Sequence, residues 1–176
     1  MHVHTNYGNR GMAFEELINY SNQLYEQKNI AIINKRPTPV KVLGRSAGRV
    51  TGFFEKPSTV DYDGVYKSRS IVFESKSTRD LHKFDLKNIE PHQVEYLEKC
   101  ESHGAISFVL VELAKLRKVY LMHNQTLKHY WNIAQKGGRK SIPLDAFEVN
   151  AWEVGSGRVP LDYLLVVDKV WKVGVA

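Results

Sequence analysis

Two carboxylates and an ammonium group stand out in the stretch DYDGVYKSRSIVFESK, residues 61–76, as Asp61, Glu74 and Lys76. Residues 71–76 open on β-branched and aromatic side chains and predict a strand, along which successive side chains point to opposite faces. Glu74 and Lys76 therefore share a face with Val72. The polar tripeptide Lys67-Ser68-Arg69 separates this strand from residues 60–66, so an antiparallel hairpin is expected. A tight turn sets Asp61 opposite either Glu74 or Lys76, and all three groups meet at one end of the hairpin. Carboxylates held close repel, and one ammonium relieves only part of that repulsion, so a divalent cation is their natural partner. Oxygen-only ligation selects Mg²⁺ or Mn²⁺. The competing reading is an exposed hairpin face with a surface ion pair, which contributes little to stability.

The elements that must hold these groups follow from periodicity. A helix is predicted over residues 12–28, where Phe14, Leu17, Ile18, Ser21 and Tyr25 follow helical spacing and Leu24 widens the stripe. A strand over residues 29–34 comes next. Pro37 and Pro39 break regular structure, and Gly44, Gly48 and Gly52 mark a basic projection, read as an extended hairpin over about residues 40–58. Pro91 suits the first turn of a helix running to Ser102, which Gly104 ends. Tyr96, Leu97 and Cys100 form its inward stripe, and Gln93 falls on the same face, aimed at the sheet. Strands over residues 105–113 and 118–122 and helices over residues 125–134 and 161–171 complete an α/β layer arrangement, with the first of those strands central.

Composition narrows the setting. A chain of 176 residues, 43% of them hydrophobic, suits one globular domain. It holds no apolar run of membrane-spanning length, and the start MHVHTN lacks the basic-then-apolar order of a signal peptide, so a cytoplasmic location is expected. The single cysteine, Cys100, excludes an intramolecular disulfide and a Cys-rich zinc site, and reads as a small buried hydrophobe. The net charge of +6 is unevenly spread: Lys35, Arg36, Lys41, Arg45, Arg49 and Lys56 face the single Glu55 over residues 35–56. Clustered cations beside Phe53 and Phe54 suit phosphate contacts and an apolar wedge, which points to an acidic polymer as partner. The alternative is a solvated basic loop.

With the elements placed, an aspartate followed on the next strand by Glu-x-Lys, flanked by helices, resembles the PD-(D/E)xK nuclease core. The segments NRGMAFEELIN, KRPTPV, STVDYDGVYKSRSIVFESK, HQVEYL and GGRKSI together resemble the RecU family of Holliday junction resolvases, in order from Asn9 to the final helix. The resemblance implies a restriction-endonuclease-like fold, a mixed central β-sheet flanked by helices with a protruding basic stalk. It places Thr59, Asp61, Glu74 and Gln93 at the magnesium-site positions and Lys76 at the transition-state stabiliser. Glu15 resembles the helix glutamate that this nuclease class uses near its metal, with Glu16 adjacent. It further implies a homodimer acting on four-way DNA junctions in recombination and repair, with a recombinase or branch-migration helicase as possible company and no membrane.

Two departures bear on DNA rather than on chemistry. Few residues precede Asn9-Arg10-Gly11, where the family carries a longer basic arm, and the stalk segment is short. Arg45 and Arg49, with Lys41, are the expected stalk contacts, and Arg10, Arg139 and Lys140 the outer phosphate contacts. Two other functions share these features: a junction-binding accessory protein without catalysis, and a nuclease of linear duplex DNA. The carboxylates argue against a pure binder, since they repel phosphates.

Overall fold

The structure is a computed structural model that describes residues 9–55 and 59–173. The chain opens with α1 (Asn9–Gln27) and β1 (Ala31–Lys35), then runs out along β2 (Val40–Ser46) and back along β3 (Arg49–Phe54). β4 (Tyr62–Tyr66) and β5 (Arg69–Thr78) form the hairpin predicted to carry the charged groups. After β6 (Lys83–Asp85) come α2 (Pro91–Ser102), β7 (Ile106–Leu113), β8 (Lys118–His123), α3 (Asn124–Gln135), β9 (Ser141–Pro143), α4 (Asp145–Asn150), β10 (Trp152–Val154) and α5 (Tyr163–Trp171). The periodicity does not predict β6, β9, α4 or β10: each of these strands has only three residues, too few for alternation to show.

Six strands make a mixed sheet in the order β1-β4-β5-β7-β8-β10. β5 and β7 pair in parallel, joined by the α2 crossover, and the other neighbours are antiparallel. α1 and α5 cover one face, where Phe14, Ile18, Tyr25, Tyr163 and Leu164 pack on Phe73 and Phe108. α2, α3 and α4 cover the other, where Val94, Leu97, Leu127 and Phe147 pack on Val72, Val109 and Val111. This is the mixed central sheet flanked by helices expected of a restriction-endonuclease-like core. Leu17, assigned above to the inward stripe of α1, lies exposed, whereas Ser21 of that stripe is buried as expected and Asn22, outside it, is buried as well.

Three stacked rings tie together β4, β5 and β7. Tyr62, Phe73 and Phe108 lie on β4, β5 and β7, with ring centroids 4.7 Å apart at 10° and 4.9 Å apart at 8°. Each such pair contributes about 0.5–1.5 kcal/mol beyond the area it buries. Tyr62 also donates to Asn19 Oδ1 at 3.0 Å, and burial pushes its hydroxyl well above the ordinary range. The β4–β5 turn has two residues, Lys67 and Ser68, both at positive φ, so Arg69 belongs to β5 rather than to the turn. No described helix is long and apolar enough to cross a membrane.

The projection is a separate two-stranded sheet. β2 and β3 pair only with each other, every residue on them is exposed, and Ala47 and Gly48 turn the tip at positive φ. Residues 56–58 of the expected projection, with the predicted cation Lys56, lie outside the described residues.

Candidate active site

The β4–β5 register sets Asp61 opposite Glu74, one step beyond the last ladder pair Tyr62↔Phe73. At that step side chains replace the ladder's backbone partners. The Asp61 N–H donates to Glu74 Oε2 at 3.1 Å, and Asp61 Oδ2 accepts from both the Ser75 N–H at 3.0 Å and the Ser75 hydroxyl at 2.8 Å. Each carboxylate is thus anchored to the other's strand, and the pair is held by backbone donors rather than by flexible reach.

Glu74 is fully buried, the extreme position for a carboxylate. Burial first, and the neighbouring Asp61 charge second, push its carboxyl up to about 8, against the pull of Lys76. The Lys76 ammonium lies 2.7 Å from Glu74 Oε1 and keeps partial contact with solvent. Gln93, in the first turn of α2, donates from Nε2 to the same Oε1 at 2.7 Å. Its own carbonyl oxygen accepts from the Glu90 N–H at 2.9 Å, completing the cap of the helix. Asp61, Glu74, Lys76 and Gln93 are therefore brought together as the spacing requires.

Other expected groups sit differently. Thr59 Oγ1 lies beside the pair in sequence and accepts from Arg36 NH1 at 2.6 Å. Glu15 is ion-paired with Lys35, and no described contact links it to either carboxylate. Lys41, Arg45 and Arg49 lie exposed on the β2–β3 hairpin, the last two flanking its tip. Arg139 donates to Ser141 Oγ at 3.1 Å, and Lys140 lines an open cavity of about 630 Å³ with Lys83, Lys87 and Trp131. Arg10 belongs to the first turn of α1, and its side chain lies outside the described residues. Cys100 is partly buried against the α2 core, as a small hydrophobe would be.

Among the described residues no three His, Cys, Asp or Glu side chains converge as a metal cluster. The donor set for a cation is instead two carboxylates supplemented by neutral oxygens. That set fits a hard divalent ion: Asp61 and Glu74 provide charge, and a Thr59 lone pair remains after the Arg36 bond. Gln93 as placed turns its NH₂ toward Glu74, so ligation through its oxygen requires the amide to turn over.

Sequence reasoning misses Arg36 as a site residue and counts it only toward net charge. The β1–β4 pairing Lys35↔Tyr62 continues as an Arg36 N–H to Asp61 carbonyl bond of 2.7 Å, which puts the Arg36 side chain on the Asp61 face. No local spacing carries that information, because it depends on pairing between strands separated by the whole projection.

Comparison with known proteins agrees with the motifs. The sequence profile described as RecU, Recombination protein U, matches residues 9–169. A protein of Pediococcus pentosaceus named Holliday junction resolvase RecU is 39% identical over 171 residues, covering 93% of this chain and 85% of its own. One of the same name from Geobacillus sp. is 40% identical over 173 residues, covering 94% and 86%. Among solved structures, the 1.6 Å structure of Archaeoglobus fulgidus Hjc, a Holliday junction resolvase, is a distant likeness with a TM-score of 0.43 at 14% identity, covering 76% of this chain and 93% of that one. On the profile match and on identity over nearly its full length, the chain belongs to the RecU family.

Proposed function

We propose that the protein is a Mg²⁺-dependent endonuclease, able to use Mn²⁺, that cuts phosphodiesters at four-way DNA junctions as a homodimer. The observation that carries this reading is the fully buried Glu74, held against Asp61, with Lys76 as its ion-pair partner among the described residues. A structural core has no use for two such carboxylates, and a pure DNA binder is hindered by them. The relatives named Holliday junction resolvase supply the substrate class.

Asp61 and Glu74 would hold the cation, with Thr59 contributing its hydroxyl and Gln93 its amide after reorientation. When bound, Mg²⁺ polarises a phosphoryl oxygen and acidifies water. Burial and the Asp61 charge push the Glu74 carboxyl up to about 8, so a cation held there would favour its carboxylate form, with the proton passing to solvent. Lys76, whose ammonium lies 2.7 Å from Glu74 Oε1, would be placed to stabilise the charge that develops on the scissile phosphate. Burial of the adjoining Glu74 lowers the local dielectric and would strengthen that interaction. Two like-oriented strands of a symmetric junction match two identical sites on a dimer.

The test is single-turnover cleavage of a synthetic four-way junction and of linear duplex, with Mg²⁺. Asp61→Ala and Glu74→Ala each lose about a hundredfold or more in rate while junction binding persists, by analogy with removal of one preorganised electrostatic group. Near-parental cleavage by either variant refutes the site. Equal cutting of junction and duplex by the parental chain refutes the junction preference and leaves a duplex nuclease.

A further inference from the structure

Arg36 sits where three parts of the molecule meet. It follows the last residue of β1 and precedes Pro37-Thr38-Pro39, so it marks where the chain leaves the sheet for the β2–β3 hairpin. Thr59 lies on the returning leg, two residues before Asp61. The Arg36 NH1 group donates to Thr59 Oγ1 at 2.6 Å and joins the two legs. Two backbone bonds bracket that tie: Arg36 N–H to the Asp61 carbonyl at 2.7 Å inward, and Glu55 N–H to the Pro39 carbonyl at 3.0 Å outward.

The same guanidinium reaches two further elements. NH1 donates to the Tyr96 hydroxyl at 3.0 Å, and the guanidinium carbon lies 5.5 Å from the centre of the Tyr96 ring. Nε lies 3.5 Å from Asp63 Oδ2 on β4. Tyr96 is three residues beyond Gln93 on α2, on the turn that supports Glu74. One planar, forked cation thus spans the hairpin base, the strand that follows Asp61 and the helix behind Glu74. A surface arginine with a single carboxylate partner has no such fixed geometry. The prolines on the outgoing leg restrict φ, which narrows the directions in which the hairpin can leave the sheet.

We propose that Arg36 is a positioning residue that locks the base of the β2–β3 hairpin to the carboxylate site, so that DNA held on the hairpin meets Asp61 and Glu74 at one fixed distance. The inference rests on the nuclease reading above. Its signature is the place of the cut, because losing the lock lets the hairpin lean and spreads the phosphates that reach the site. A misplacement of about 1 Å is enough to slow a reaction on the order of a hundredfold.

Arg36→Met keeps the aliphatic stem and removes the fork; Tyr96→Phe removes one hydroxyl acceptor and guards against a fold defect in the first variant. Nick positions are mapped on an end-labelled four-way junction in Mg²⁺, junction affinity is measured across salt concentrations, and Ca²⁺ binding is followed by calorimetry without DNA. For Arg36→Met the junction affinity and salt slope stay near parental, cleavage slows about tenfold or more, and nicks scatter over neighbouring positions. Its Ca²⁺ affinity does not fall, since the variant removes a cation from beside the site and leaves the Thr59 hydroxyl free. Tyr96→Phe moves the cleavage rate and nick pattern the same way by less. A parental chain that leaves junctions intact overturns the nuclease reading and this inference together. A parental chain that cuts, with Arg36→Met cutting at the same positions and rate, overturns the positioning role alone. So does a salt slope lowered by about one unit with nick positions unchanged, since that marks a direct phosphate contact.

Discussion

At the scale of single residues, the unusual feature is a carboxylate with no exposure whose proton affinity is raised to about 8. Burial is the larger cause and the Asp61 charge the smaller. Unfolded, Glu74 titrates near the ordinary carboxylate value of about 4.3. Between that value and about 8 the folded chain holds more protons than the unfolded chain, so stability declines as pH rises through this window. The stabilising protonation is fully present below the unfolded value and lost once the pH passes the folded one. Glu74→Gln has no charge to bury, and a buried ion pair replaced by neutral groups is often no less stable. In chelator, thermal unfolding of parental and variant chains should therefore differ least near pH 5, with the variant gaining by a few kcal/mol toward pH 9. A difference that stays constant from pH 5 to pH 9 would show that Glu74 ionises normally in the folded protein. The residue types and their face are readable from the sequence because alternation along one strand is local. The direction of the Gln93 amide and the attachment of Glu15 to Lys35 are not, because each is decided by a partner on another element.

At the scale of elements, the site depends on β4 being clasped between β1 and β5, and Gly64 is where that clasp is tightest. Gly64 pairs with Ile33 on one side and Ile71 on the other. A Cβ there would lie 2.1 Å from the Ile32 carbonyl oxygen and 2.7 Å from the Ile33 Cα, both backbone atoms that cannot swing aside. Gly64→Ala must push β1 away from β4, at a cost of about 3 kcal/mol, the upper range for overpacking. Urea unfolding checks this: the midpoint falls with little change in slope, and a loss below about 0.5 kcal/mol would mean that the strands separate freely. Because Arg36 continues β1, cleavage should weaken in the same variant. The β4–β5 hairpin and α2 are legible in the amino-acid sequence, the first from alternation around a polar turn and the second from Pro91 and Gly104 at its ends. The register of β1 on β4 is not legible there. It closes over the whole projection, and the fold uses Gly64 for a close approach between strands that no local pattern announces.

At the scale of the whole molecule, charge and apolar surface are gathered on a ribbon that has no core of its own. A two-stranded sheet is marginal in water, and the β2–β3 hairpin leaves Val40, Val42, Leu43, Val50, Phe53 and Phe54 exposed beside Lys41, Arg45 and Arg49. Exposed cations beside aromatic side chains suit a nucleic acid. The hairpin and the carboxylate site are distinct surfaces, so binding and chemistry should separate on mutation. Arg45 pairs with Val50 and Arg49 with Ser46, which puts both guanidinium groups at the tip around the Ala47-Gly48 turn. If both reach phosphates, Arg45→Gln with Arg49→Gln removes about two counterion-releasing contacts and lowers the slope of log affinity against log salt by nearly two units. The loss should be larger for a four-way junction than for linear duplex, because only a branched substrate surrounds a protruding element with phosphates. Cleavage falls as binding does, yet saturating protein at low salt restores most of it, since Asp61, Glu74 and Lys76 are untouched. Unchanged affinity and salt slope on both substrates would make the tip a solvated surface. The phosphate contacts would then have to lie with Arg139, Lys140 and the lysines around the neighbouring cavity.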